Sequence, residues 1–162
     1  YHGLLAGLKV GLTPGIEVTL ANKIGSIEAA GEILSAYRAE KGYYPDAIYC
    51  GGDTLARCAF DALVQCGVKV PEEVCIVGGS KTEVLPPGVP AITSMRHPGD
   101  ETGLQMMSML VRRLESGGAD QPGIVLPVPF SIGATTRPEV GALLEGYNRT
   151  LKPLPMEGLQ RI

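Results

Sequence analysis

Short apolar runs alternate along this chain with longer stretches whose apolar residues recur every three or four positions. Residues 1–12 (YHGLLAGLKVGL) have helical spacing and read as the tail of a helix whose start is missing. Thr13-Pro14-Gly15 is a turn, Ile16–Leu20 (IEVTL) alternates like a strand, and Ala21–Gly25 is a loop. Ser26 is a candidate cap for a helix from Ile27 to about Glu40, with Ile27, Ala30, Leu34 and Tyr37 on one face. Gly42 ends it and Pro45 forbids continuation.

The next strand is Asp46–Cys50, followed by a Gly51-Gly52-Asp53 turn and a helix from Thr54 to Gln65 that Gly67 closes. Leu55, Ala59, Ala62, Leu63 and Cys66 form its apolar stripe. Val74–Val77 (VCIV) is a continuous apolar run, as in a strand covered on both faces. A Gly78-Gly79-Ser80-Lys81 loop follows, then a rigid proline-rich loop over 84–90 and a strand over Ala91–Met95. A long helix is expected from Asp100 to about Glu115, with Gly103, Met106, Met107, Leu110, Val111 and Leu114 as its stripe. Ile124–Ile132 is extended, and Pro127 and Pro129 confine it to an edge or a crossing segment. From Pro138 onward periodicity is lost, and Tyr147–Ile162 reads as a tail. Strands alternating with helices predict an α/β fold, an open parallel sheet with helices on both faces.

Composition narrows the function classes. The 162 residues suit one domain, and 44% hydrophobic with 19% charged residues is enough apolar material for a core. The net charge of −3 makes the chain itself a poor nucleic-acid binder, since such modules carry a basic face. No apolar run approaches the roughly 18 residues of a membrane span, and no membrane partner is expected. No signal peptide is visible, and Tyr1 rather than Met comes first. Cys50, Cys58, Cys66 and Cys75 all sit in apolar runs without a CxxC pair. They read as four reduced, buried thiols in a cytoplasmic protein, and no metal site is expected.

In open parallel sheets ligands bind beyond the carboxyl ends of the strands. Three loops belong to that rim: Ala21–Gly25 (ANKIG), Gly51–Asp53 (GGD) and Gly78–Lys81 (GGSK). Asp53 is either the cap of the following helix or a ligand-facing carboxylate. Gly51 and Gly52 either let backbone approach a ligand or simply make the turn. Asn22, Lys23, Ser80 and Lys81 are hydrogen-bonding candidates or solvated loop residues, and two cleft lysines would favour an anionic ligand. His97, between a strand and a helix, is a hinge or ligand-edge contact or merely begins the helix. No phosphate loop, nucleophile elbow or carboxylate pair is present, so no enzymatic activity and no cofactor are expected.

The run DAIYCGGDTLARCAFDALVQCGVKVPEEVCIVGG (46–79) resembles the signature stretch of lactose-repressor-type bacterial transcription regulators. PAITSMRHPGDETGLQMMSMLVRRLESG (90–117) and GIVLPVPFSIGATTRP (123–138) are similar to later stretches of the same family. The Cys50-Gly51-Gly52-Asp53 turn resembles its purine-repressor branch. The resemblance implies a type I periplasmic-binding-protein-like lobe, the carboxyl-terminal one of two that close around a small-molecule effector. Operator DNA would be met only through a helix-turn-helix headpiece absent from this chain, and the protein would be a homodimer.

Under that resemblance, 1–138 is the effector-binding core and 139–162 a carboxyl-terminal tail. Residues 98–129 would belong to the otherwise missing first lobe, reached by crossing near Arg96–Pro98 and recrossing near Phe130. Without that lobe, Met107, Leu110 and Leu114 would lack their partner, so the fragment should pair or swap with another copy or leave that helix poorly ordered. Gly52 falls where a ligand-contacting Asn is found, Asp53 matches the family's Asp, and Ser80 replaces an Asp that grips sugar hydroxyls or a purine. Ala21 and Asn22 fall near a stacking aromatic. The ligand-binding candidates are therefore Ala21, Asn22, Lys23, Gly52, Asp53 and Ser80. The effector would be a sugar, sugar phosphate, purine or organic acid, and the departures at 80 and 21 argue against an ordinary hexose. A solute-binding protein of a transport system is the alternative on the same fold.

Overall fold

The structure, a computed structural model, describes residues 26–80, 88–118 and 123–151 and the backbone of 154–155. The helix, strand and loop expected over 1–25, and most of the 84–90 loop, lie outside the described residues. Helix α1 spans Ile27–Lys41. Ser26 caps it: its Oγ accepts from the Ala29 amide at 3.2 Å, satisfying one of the free donors of the first turn. Gly42 closes it at φ 85°, a left-handed value that glycine adopts without strain, and its N–H reaches Arg38 O. Ala30 and Leu34 are buried, as their spacing requires.

Strand β1 (Ala47–Tyr49) leads through the glycine turn into α2 (Asp53–Gln65). The buried stripe of α2 is Ala56, Ala59, Ala62 and Leu63; Leu55 is half-buried and Cys66 exposed, so the stripe is rotated from the one expected. The helix packs against α1 and against β2 (Cys75–Gly78), and its small buried residues join the same core. Ala30, Leu34, Ala59, Leu63, Val74, Ile76 and Ile92 form the core between them. Of the four cysteines only Cys50 and Cys75 are buried; Cys58 is half-buried, and all four are free thiols. The expectation of four buried thiols fails at Cys66, the residue that ends α2, and in part at Cys58.

Strand β3 (Thr93–Met95) pairs parallel to β2, which pairs parallel to β1. The chain then leaves the sheet as α3 (Gly99–Glu115) and β4 (Ile124–Val125) and returns as β5 (Phe130–Ser131). The four-stranded order is β1-β2-β3-β5. Its last strand is antiparallel, with Met95 opposite Phe130, so the sheet is mostly rather than wholly parallel. The connection is long enough for a parallel crossover, but its helix α3 buries no residue and does not pack across the sheet, and β5 comes back beside the strand by which the chain left. Pro127 and Pro129, lacking N–H donors, put it at the edge as expected.

Residues from 138 onward were expected to lack periodicity. They form a further helix, α4 (Pro138–Thr150). Val140, Leu144 and Tyr147 stand at helical spacing, and proline at the first position needs no amide partner. Gly141 is buried against Ile132 on the β5 side, and Tyr147 meets Phe130 edge to face. The segment before it is pinned by a buried hydroxyl network. Thr135 Oγ1 donates to Ile76 O at 2.7 Å and accepts from Thr93 N at 2.9 Å, and Thr93 Oγ1 accepts from Gly133 N. Past α4, β6 (Leu154–Pro155) pairs antiparallel with β4 as a separate two-stranded ribbon.

Candidate functional site

Because β1, β2 and β3 run parallel, their carboxyl ends share one edge of the sheet. The Gly51-Gly52-Asp53 turn follows β1, Gly79-Ser80 follows β2, and Arg96 and His97 follow β3. Two of the three loops singled out in the sequence therefore meet at one rim. Ala21, Asn22 and Lys23 of the third, like Lys81, lie outside the described residues.

Asp53 does not cap α2. Gly52 occupies the cap position in extended conformation with no side-chain cap bond, and Asp53 is the first residue of the helix. Its carboxylate turns inward, and the residue is only 2% exposed. Ser94 Oγ, on β3, donates to Asp53 Oδ1 at 2.5 Å, and the Ser80 backbone N–H donates to the same oxygen at 3.3 Å. The β1 turn, the β2 turn and the end of β3 are thus tied through one buried oxygen. The cap reading drawn from the sequence put this side chain on its own helix, and Gly52 in the cap position overturns it. The structure makes it an internal brace.

Gly78 and Gly79 serve the same brace. A Cβ at Gly78 would run into Asp53 Oδ1 and stand 3.1 Å from Ser94 Oγ. One at Gly79 would stand 2.5 Å from Gly51 O, which is backbone and cannot swing aside. These two glycines let the turns approach each other. Gly52 differs: a side chain there would point towards Ser80 Oγ, 3.8 Å away, with nothing closer. Gly52 and half-buried Ser80 therefore face one another across the rim.

Ser94 is the residue that sequence reasoning missed. Its signal was position alone, one before the end of the strand expected over Ala91–Met95, on the rim where ligands collect. His97 is exposed beside β3, as is Arg96. A groove lined by Arg38, Gly42, Tyr44, Cys66, Gly67 and Val68 opens among the residues that precede β1 and β2, and it holds no candidate residue. No group of three or more His, Cys, Asp or Glu side chains able to hold a metal occurs among the described residues. No helix described is long and apolar enough to cross a membrane.

The model of the periplasmic binding protein-like domain matches residues 9–136. Catabolite control protein A of Staphylococcus aureus is 29% identical over 110 residues, 68% of this chain and 33% of that protein. The HTH-type transcriptional repressor PurR of Escherichia coli is 32% identical over 85 residues, 49% of this chain and 25% of that one. The crystal structure of a LacI family transcriptional regulator from Arthrobacter sp. FB24, in complex with lactose, superposes with a TM-score of 0.64. It is 22% identical, over 84% of this chain and 50% of that one. The chain spans about a third or less of the length of these curated relatives. The chain belongs to the family of periplasmic binding protein-like domains, as these occur in lactose-repressor-type transcription regulators.

Proposed function

We propose that the chain is the effector-binding region of a bacterial transcription regulator, chiefly its carboxyl-terminal lobe. A small molecule bound at the rim of β1–β3, between this lobe and a first lobe, would favour one lobe orientation over another. By linkage that would change the affinity of a helix-turn-helix headpiece for operator DNA. The region acts by differential binding rather than catalysis, as a homodimer in the cytoplasm. The observation that carries this reading is the opposition of Gly52 and Ser80 at the carboxyl rim, held by the Asp53 brace. Gly52, Ser80, Ala21, Asn22 and Lys23 would line the effector, with Asp53 behind them.

The rim chemistry favours an anionic effector. Asp53 is the single carboxylate in the three rim loops, and its oxygen is engaged inward. Lys23 and Lys81 belong to those loops in sequence, and exposed Arg96 follows β3. A phosphate or carboxylate on the effector would find cations and hydroxyls here, where a neutral pyranose would miss the carboxylate that grips its hydroxyls. Residues 98–129 are assigned to the first lobe: α3 buries none of its residues against the described lobe.

The test is the thermal shift of the full-length gene product across neutral sugars, sugar phosphates, purines and organic acids. A concentration-dependent rise with an anionic metabolite, lost in Ser80→Asp, supports the reading. Shifts with neutral sugars alone would refute the anionic assignment.

A further inference from the structure

The carboxyl-terminal segment lies beyond the residues that the family model matches, which end at 136. It nevertheless makes specific contacts where the chain crosses out of the sheet and back. Arg96 N–H donates to Pro129 O at 2.7 Å, so the outgoing and returning strands lie side by side. Asn148, on α4, grips the returning strand: its Oδ1 accepts from Phe130 N and its Nδ2 donates to Phe130 O, both at 2.8 Å. The side-chain amide stands in for a neighbouring strand on the outer edge of β5, satisfying both backbone groups that an edge residue otherwise leaves to water. The Tyr147 ring meets the Phe130 ring at 5.7 Å between centroids.

A few residues further on, the same segment holds the other side of the crossing. In β6, Leu154 stands opposite Val125 and Pro155 opposite Ile124, both in β4 before the return. One appendage thus has two attachments, one at Phe130 where the chain re-enters the sheet and one at Ile124–Val125 where it has not yet done so. An element fixed on both sides of a crossing resists rotation about it.

We propose that α4 and β6 together act as an intramolecular strap across the hinge between the two lobes. It narrows the range of lobe orientations and so sets how far a bound effector must shift them. Asn148 is the positioning residue that fastens the strap to the hinge strand. The inference rests on the two-lobe reading given above.

The test uses the full-length gene product with spin labels at Glu40 on α1 and Glu115 on α3. The labels are introduced without cysteine chemistry, because native Cys66 is exposed. Wild type is compared with Asn148→Ala, Asn148→Asp and a chain ending at Arg137. Aspartate keeps the acceptor for Phe130 N and loses the donor to Phe130 O, and as an isostere it keeps the test open should the shortened chain fail to fold. The label-to-label distance distribution should broaden from wild type to Asn148→Asp to Asn148→Ala. Exchange of the Phe130 amide should quicken roughly threefold to tenfold in Asn148→Ala, the loss of one net hydrogen bond. Unchanged distance distributions alongside faster amide exchange would make the clamp a local contact and overturn the strap. Small-angle scattering from the same samples separates the two ideas: a single-lobed envelope overturns the two-lobe reading itself.

Discussion

At the scale of single residues, Asp53 decides the most. It holds two donors from two other elements, so removing it takes the acceptor from the half-buried Ser80 amide and leaves buried Ser94 Oγ only the long contact to Met95 O at 3.4 Å. Asp53→Ala should cost about 2–4 kcal/mol of unfolding free energy, the penalty of donors deprived of this acceptor plus a small void. Asp53→Asn retains an oxygen in the same position and should cost under about half of that. Denaturant titration of the two variants measures both figures, and equal losses would mean that the brace does not run through Oδ1. Gly79→Ala should also be harmful, because its methyl would meet the Gly51 carbonyl, costing about 1–3 kcal/mol from overpacking. The sequence showed that this turn mattered, through its glycines and its lone carboxylate. Where the carboxylate points was not legible, because the Ser94 partner lies 41 residues away and only the parallel register of β2 and β3 brings it near.

The cysteines are also a residue-scale matter. Burial, and to a smaller degree the charge of neighbouring Cys58, pushes the Cys50 thiol from 9.0 up to about 11. Between those values an unfolded chain releases the proton and the folded one keeps it. Stability from this group is therefore full below pH 9 and is lost as pH rises towards 11. Urea midpoints should accordingly fall across that interval, and Cys50→Ala should flatten the fall. A thiol reagent near pH 8 should label exposed Cys66 first, Cys58 more slowly, and Cys50 and Cys75 only on unfolding. Equal labelling rates for all four would contradict the burial described.

At the scale of elements, helices α1, α2 and α3 were legible because each carries an apolar stripe within its own sequence, bounded by glycine or proline and, in α1, by a capping serine. Ser26 and Gly42 bound α1 as anticipated. Helix α4 escaped notice because its stripe is sparse and interrupted by Gly141 and Gly146. The antiparallel course of β5 escaped it for another reason: pattern reveals that a strand exists, while direction depends on the path between strands. The α3 stripe was legible and raises a question of its own. Met107, Leu110 and Leu114 are 60%, 50% and 71% exposed, and the helix has no buried residue. Leaving such side chains wet forfeits about 1.5–3 kcal/mol each relative to burial. Residues 1–162 prepared alone should therefore self-associate or bind an apolar dye. The variant carrying Met107→Gln, Leu110→Gln and Leu114→Gln should do neither, while the same changes should destabilise the full-length protein. A fragment that sediments as a monomer at all concentrations and binds no dye would show that the stripe needs no partner.

At the scale of the whole molecule, the anionic effector proposed above would face a chain whose net charge is −3. The net charge of these 162 residues supplies no long-range attraction for it, so the preference proposed for this chain rests on cations close to the site. Screening then gives a distinguishing measurement. The Debye length is about 10 Å at 0.1 M salt and about 3 Å at 1 M, so an attraction between charged groups that solvent reaches loses much of its pull over that range. Affinity for a phosphorylated or carboxylated effector should weaken severalfold between those concentrations, and Ser80→Asp should weaken it by at least about tenfold, an unfavourable 1.4 kcal/mol from a like charge at the rim. The fold should tolerate Ser80→Asp, because the brace uses the Ser80 backbone amide and leaves its side chain facing the Gly52 gap. Calorimetric titration at several salt concentrations, with the melting temperature of each variant recorded beside it, separates lost affinity from lost structure. Binding that is indifferent to salt and survives an aspartate at position 80 would place recognition in neutral hydrogen bonds and move the cations of this rim out of the effector's reach.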